Sequence, residues 1–137
     1  MKLIPYLFFD GECRVAFEFY AECLRGKIEM VSKAGDAPGG ESMPAAARER
    51  IMHVRLAVGG QTLMGSDWMA DRPFERPQGF SVSLDVESVA EAERIFAAFA
   101  EDGTVRMPLE KTFFAERFGM LVDRFGISWM INCDNQT

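Results

Sequence analysis

The chain has 137 residues, 48% of them hydrophobic and 26% charged, which suits one compact domain with a buried core and argues against disorder. A net charge of −6 excludes a nucleic-acid surface built from clustered Lys and Arg, and no apolar run approaches the length that spans a bilayer. Residues 1–5 lack the apolar region of a secretion signal, and the three cysteines form no C-x-x-C pair, so a soluble cytoplasmic protein with reduced thiols is expected.

Residues 3–9 are apolar on both faces, with Tyr6 and Phe8 on one of them, and predict a well-buried strand. Asp10 and Gly11 end it. A helix follows over 13–24, with Val15, Phe19 and Cys23 four apart and Ala16, Tyr20 and Leu24 beside them. Gly26 stands where a C′ glycine belongs, and 27–31 is extended again. Residues 33–50, with three glycines and two prolines, predict a mobile loop. Two strands over 51–58 and 61–66 are joined by the hairpin pair Gly59-Gly60. Residues 66–78, with Pro73 and Pro77, read as a linker.

The same grammar then repeats. Phe80, Val82, Leu84 and Val86 alternate with polar residues as a half-buried strand. Ser88 is placed to cap a helix, with Glu91 at the capping-box spacing and an apolar stripe of Val89, Ala92, Ile95, Phe96 and Phe99. Gly103 closes the helix, 104–107 is extended, and strands over 119–123 and 128–133 turn at Arg124-Phe125-Gly126. Laying the first copy on the second puts Gly26 on Gly103, Phe19 on Phe96 and Met30 on Met107. The predicted class is α+β, with the order βαβββ twice in a single domain over 1–137: module 1 about 1–67, linker about 68–78, module 2 about 79–137.

These residues carry a family resemblance. The run 5–9, the helix ending Phe19-Tyr20, His53 to Leu56 with Gly59-Gly60, Leu63 to Asp67, and Phe118-Gly119 through Asp123-Arg124-Phe125-Gly126 to Trp129-Met130-Ile131-Asn132 resemble the vicinal oxygen chelate superfamily. That superfamily includes glyoxalase I, bleomycin-resistance proteins and extradiol dioxygenases. More narrowly, the chain is similar to the PhnB-like branch, whose members often carry a demethylubiquinone methyltransferase name. The resemblance implies curved mixed sheets around a cleft (the glyoxalase/bleomycin-resistance fold), completed in a homodimer that covers open sheet edges. It also implies metal-ligand positions on the first and last strand of each module, here Pro5 or Tyr6, Met64 or Gly65, Gly79 or Phe80, and Met130. None is a histidine or carboxylate, and the chain has one histidine in all, so neither a metal nor another cofactor is expected.

The candidate catalytic residues are His53, Arg55 and Glu110. His53 titrates near neutrality and suits proton transfer, or it lines the sheet as a hydrogen-bonded side chain. With Val54, Leu56 and Val58 on the opposite parity, it is expected to share a face with Arg55 only where the strand is irregular. Arg55 suits an oxyanion. Glu110, near Phe113 and Phe114, is either a base or a solvated loop charge. The candidate ligand-binding residues are Tyr6, Phe8, Met64, Asp67, Phe114 and Trp129. Asp67 either anchors a ligand or caps the turn into the linker, and Trp129 either stacks a ligand or fills the core. The turn at Asp123 is assigned no chemistry.

A methyltransferase is rejected, because no Gly-rich strand-to-helix turn sits in an open βαβ unit. The function expected is metal-independent binding of a small organic ligand in a cleft of a homodimer. Alternatives are a small-molecule enzyme using His53, with or without a metal recruited to His53, Asp67 and Glu110, and a scaffold whose cleft has lost its ligand. Whether the chain is an enzyme stays open at this level.

Overall fold

The computed structural model describes residues 1–134, and none of the described helices is long and apolar enough to cross a membrane. The chain divides into two compact units, Met1–Glu75 and Arg76–Thr137, with the boundary inside the 68–78 segment. The first unit runs β1 (Tyr6–Phe9), α1 (Cys13–Leu24), β2 (Lys27–Lys33), α2 (Ala45–Arg48), β3 (Ile51–Val58) and β4 (Gln61–Asp67). The second runs β5 (Val82–Val86), α3 (Val89–Ala100), β6 (Thr104–Glu110), β7 (Ala115–Val122) and β8 (Ser128–Asp134). Each unit forms an open four-stranded sheet, in the orders β1-β4-β3-β2 and β5-β8-β7-β6. The first and last strands of each unit pair in parallel and the other neighbours are antiparallel. The α+β class and the repeated βαβββ order follow the sequence pattern.

One helix lies on one face of each sheet. Leu7, Phe9, Phe17, Tyr20, Val54 and Leu56 are buried in the first unit, and Ile95, Phe99, Leu121, Trp129 and Ile131 in the second. Removing such a side chain from water stabilises the fold by roughly 1.5–3 kcal/mol. Helix α3 buries Ala92, Ile95 and Phe99 from the expected stripe, and its Ser88 cap accepts a hydrogen bond from the Glu91 amide at 3.1 Å. Helix α1 departs from its expected stripe. It buries Cys13, Ala16, Phe17, Tyr20 and Cys23, while Val15 is exposed. A straight i, i+4 row drifts around a helix of about 3.6 residues per turn, and the mixed 3/4 spacing from Cys13 stays on one face.

Three other expectations need correction. β1 begins at Tyr6, not at residue 3, because Pro5 has no N–H to donate; its carbonyl accepts from the Met64 amide at 3.1 Å and Leu3 is exposed. Residues 33–50 hold two 3-10 turns (Ala34–Asp36 and Gly40–Ser42) and α2, closed off where the Ala34 amide donates to Arg50 O at 2.9 Å. The left-handed residue ending each long helix is not the glycine but the residue before it, Arg25 (φ 55°) and Asp102 (φ 58°). Gly26 and Gly103 are instead sites of close approach, since a Cβ there would press on the carbonyls of Ala57 and Val122.

Candidate functional site

In both sheets, side chains of alternate parity turn away from the helix and form an open face. On the first sheet this face is organised as two cross-strand rows. Tyr6 pairs with Met64, Met64 with Arg55, and Arg55 with Met30. One step along, Phe8 pairs with Ser66 and Ser32 pairs with His53. His53 and Arg55 differ by two positions and pair with Ser32 and Met30 of β2 with no register shift between them, so they share a face. The buried residues of opposite parity, Val54 and Leu56, point to the helix.

Tyr6, Phe8 and Arg55 are exposed and His53 half-buried, so this face is open, unlike the well-buried strand expected of residues 3–9. The Tyr6 hydroxyl lies 3.0 Å from His53 Nδ1, and the two rings stack with centroids 5.6 Å apart at 24°. With the imidazole proton on Nε2, Tyr6 donates to Nδ1 and Nε2–H is left as a donor toward the open face. Tyr6 also contacts Phe8 at 5.1 Å, and Phe8 meets Trp68 edge-on at 5.5 Å and 87°. Trp68 is held in turn: its amide donates to Phe9 O at 2.6 Å and its indole N–H to Arg72 O at 2.8 Å, and the Arg72 guanidinium lies 5.3 Å over its ring. Arg50 grips the Trp68 carbonyl and Asp10 at 3.1 and 2.9 Å. Trp68 is the residue sequence reasoning missed; its position after β4, continuing the pairing with β1, was the available signal.

The structure thus brings together Tyr6, Phe8, His53, Arg55 and Met64 on one face. Arg55 forms no hydrogen bond or ion pair with the described residues, and neither row contains a carboxylate.

Asp67 and Trp129 serve the fold instead. Asp67 is 2% exposed; its Oδ1 accepts from the amides of Gly11 and Cys13 at 2.9 and 3.0 Å, and its Oδ2 from Ile51 at 2.8 Å. It caps α1, whose own N-cap Glu12 makes no side-chain cap bond, from 54 residues away. Burial, and then the Asp67 carboxylate, push the Cys13 thiol far above its ordinary range. Trp129 is fully buried, packs edge-on against Phe99 at 4.9 Å, and donates its indole N–H to Asp123 Oδ2 at 2.8 Å. Asp123 Oδ1 holds the turn through the amides of Phe125 and Ile127 at 2.9 and 3.0 Å.

Glu110 and Phe114 belong to the second unit. Glu110 ends β6 opposite Phe118, and Phe114 lies on the β6–β7 turn with Phe113 and Phe118 at 5.2 and 5.1 Å. β5 starts at Val82 and the first-strand partner of Met130 is Ser83, so Gly79 and Phe80 lie off the sheet. The donor set does not fit a glyoxalase-type divalent ion. On the first sheet, Tyr6 and Met64 offer a phenol engaged by His53 and a thioether, and both oxygens of Asp67 are occupied by amides. On the second sheet, taken by itself, Ser83 and Met130 offer a hydroxyl and a thioether.

A family model described as 3-demethylubiquinone-9 3-methyltransferase matches residues 1–132. Protein YjdN of Escherichia coli (strain K12) is 34% identical over 147 aligned positions, covering 99% of this chain and 97% of that protein. The chain belongs to the PhnB-like branch of the vicinal oxygen chelate superfamily. Among solved structures, protein PA1353 from Pseudomonas aeruginosa is 48% identical with a TM-score of 0.91, covering 99% of both chains. A PhnB protein from Bacillus cereus is 26% identical with a TM-score of 0.81, covering 97% of this chain and 99% of that one. A glyoxylase/bleomycin resistance protein/dioxygenase domain from Frankia sp. EAN1pec, 16% identical with a TM-score of 0.61 and coverage of 97% and 94%, shares the fold. The methyltransferase wording in the family description has no counterpart in the described residues: both sheets are small and mixed, and the β1–α1 turn, Asp10-Gly11-Glu12, is no Gly-rich nucleotide loop.

Proposed function

We propose that this PhnB-like protein binds a small organic ligand on the open face of its first sheet, independently of a metal, and that it does so as a homodimer. The observation that carries the reading is the Tyr6–His53 hydrogen bond beside an Arg55 with no partner among the described residues, on an exposed aromatic face. Exposed aromatic rings bind flat apolar groups, and a few fixed polar groups orient them. The homodimer is supported by the edge strands β2 and β6, which expose Met30, Val31, Val105 and Met107. Metal independence is supported by the donor set described above. Light scattering tests the dimer. Elemental analysis of untagged protein purified without chelator, followed by divalent-ion titration, tests metal independence; a stoichiometric ion lost in His53→Ala would end it. A thermal-shift screen of small metabolites tests the binding reading. Hits are expected to lose most of their stabilising effect in Tyr6→Ala, and hits indifferent to Tyr6 would contradict it.

A second reading, in which the same site turns its ligand over with His53 as general acid or base, draws on the fixed imidazole. Single-turnover assays on each hit separate the two. Conversion that stops in His53→Gln while binding persists identifies an enzyme, and unchanged ligand recovered after prolonged incubation identifies a binding protein.

A further inference from the structure

We infer that the ligand of this face is a planar carboxylate, bound with its anionic end on Arg55 and the Nε2–H of His53 and its flat body against Tyr6 and Phe8. The inference rests on the small-molecule reading above and adds the chemical class. Arg55 is exposed and unpaired within the described residues, whereas the other arginines nearest the aromatic cluster are engaged: Arg50 with Asp10 and the Trp68 carbonyl, Arg72 with the Trp68 ring. A guanidinium presents a planar fork of donors that matches a carboxylate, and one fork matches one such group. With the imidazole proton on Nε2, the Tyr6 hydroxyl donates to His53 Nδ1 and Nε2–H, one row from Arg55, is a further donor to the same anion.

The corresponding rows of the second sheet act as an internal contrast. There Ser83 pairs with Met130, Met130 with Met120 and Met120 with Met107, and in the next row Asp85 pairs with Asn132, Asn132 with Phe118 and Phe118 with Glu110. At the position of Arg55 stands Met120, at that of His53 stands Phe118, and both ends of the second row, Asp85 and Glu110, are carboxylates. The frame of the fold therefore does not require a cation at either position. On the first sheet no carboxylate in the two rows competes for Arg55, so a ligand carboxylate meets an uncompensated positive charge.

The test uses three probes on the full chain: 2-naphthoate, its neutral isostere 2-naphthamide, and the cation 2-naphthylmethylammonium. Affinities are measured by calorimetry, and the site is located by amide shift changes in NMR. Naphthoate is expected to bind tenfold or more tighter than the amide (about the worth of a charge-assisted hydrogen bond), with the ammonium weakest and the shifts on β1 and β3. In Arg55→Met the acid and the amide are expected to bind alike within about twofold, and in Arg55→Lys a reduced preference is expected to survive. Equal affinity of acid and amide on β1 and β3 would overturn the carboxylate assignment and leave the small-molecule reading standing. A preference that persists in Arg55→Met would overturn the role of Arg55. No binding by any probe, or shifts confined to β5–β8, would overturn both readings.

Discussion

The two sheets share strand order, pairing sense and register frame, yet they use that frame differently. In the first, the buried carboxylate Asp67 ties three separate segments together, and the open face carries Tyr6, His53 and Arg55. In the second, Asp123 works within its own turn and on Trp129, the helix is capped locally by Ser88, and the open face carries a row of methionines. Repetition thus fixes the backbone ladder, and the few side chains facing away from the helix are free to diverge. The half whose open face holds Tyr6, His53 and Arg55 is the one proposed to bind a ligand, and the methionine face of the other half is its contrast.

The sharpest way to break this comparison is to remove the buried carboxylates. Asp67→Ala strips an acceptor from three backbone amides and is expected to cost about 3–4 kcal/mol in urea unfolding, more than Asp123→Ala, whose backbone partners are local. Equal losses would mean that the long-range tie adds nothing beyond a turn. Gly65→Ala comes next. A Cβ there would sit 2.6 Å from the Phe17 ring and 2.7 Å from Leu7 O, so a loss of about 2–3 kcal/mol is expected by the same measurement.

Alkaline stability separates the units further. The folded Cys13 thiol keeps its proton while the unfolded thiol ionises near its ordinary value of 9.0, so above that pH the folded state binds more protons. Its contribution is complete below about pH 9 and is lost as pH rises, at up to about 1.4 kcal/mol per pH unit. Cys13→Ala is expected to flatten that slope in unfolding curves taken between neutral and alkaline pH. The smallest effect is expected on the open face. Tyr6→Phe removes one exposed hydrogen bond and should shift stability by no more than about 0.5 kcal/mol while weakening ligand binding. A large loss of stability would show that the pair belongs to the fold.

Much of the architecture was legible in the sequence because it is local. The alternation around Val82–Val86, the Ser88 cap and the Gly59-Gly60 hairpin are all short-range signals. The face shared by Tyr6, His53 and Arg55 was only partly legible. From the sequence, His53 and Arg55 are expected to share a face only where the strand is irregular, whereas a spacing of two suffices. The Tyr6 contact depends on β1 lying beside β4, which only the tertiary pairing supplies. For Asp67 and Trp129 the sequence left a ligand role open beside a turn cap and a core position, because their partners, the Cys13 amide and the Asp123 carboxylate, become partners only in the folded chain. Trp68 escaped notice for the same reason: its ring is placed by Phe8 and Arg72 and its carbonyl by Arg50, none adjacent in sequence.

The most direct test of the central claim is amide-shift mapping of the protein against a collection of small aromatic compounds. The account predicts that binding compounds move the signals of β1, β3 and β4 around Tyr6, His53 and Met64, and that Tyr6→Ala abolishes those movements. Shifts that fall instead on the methionine row of β6, β7 and β8, or that survive the loss of Tyr6, would contradict it.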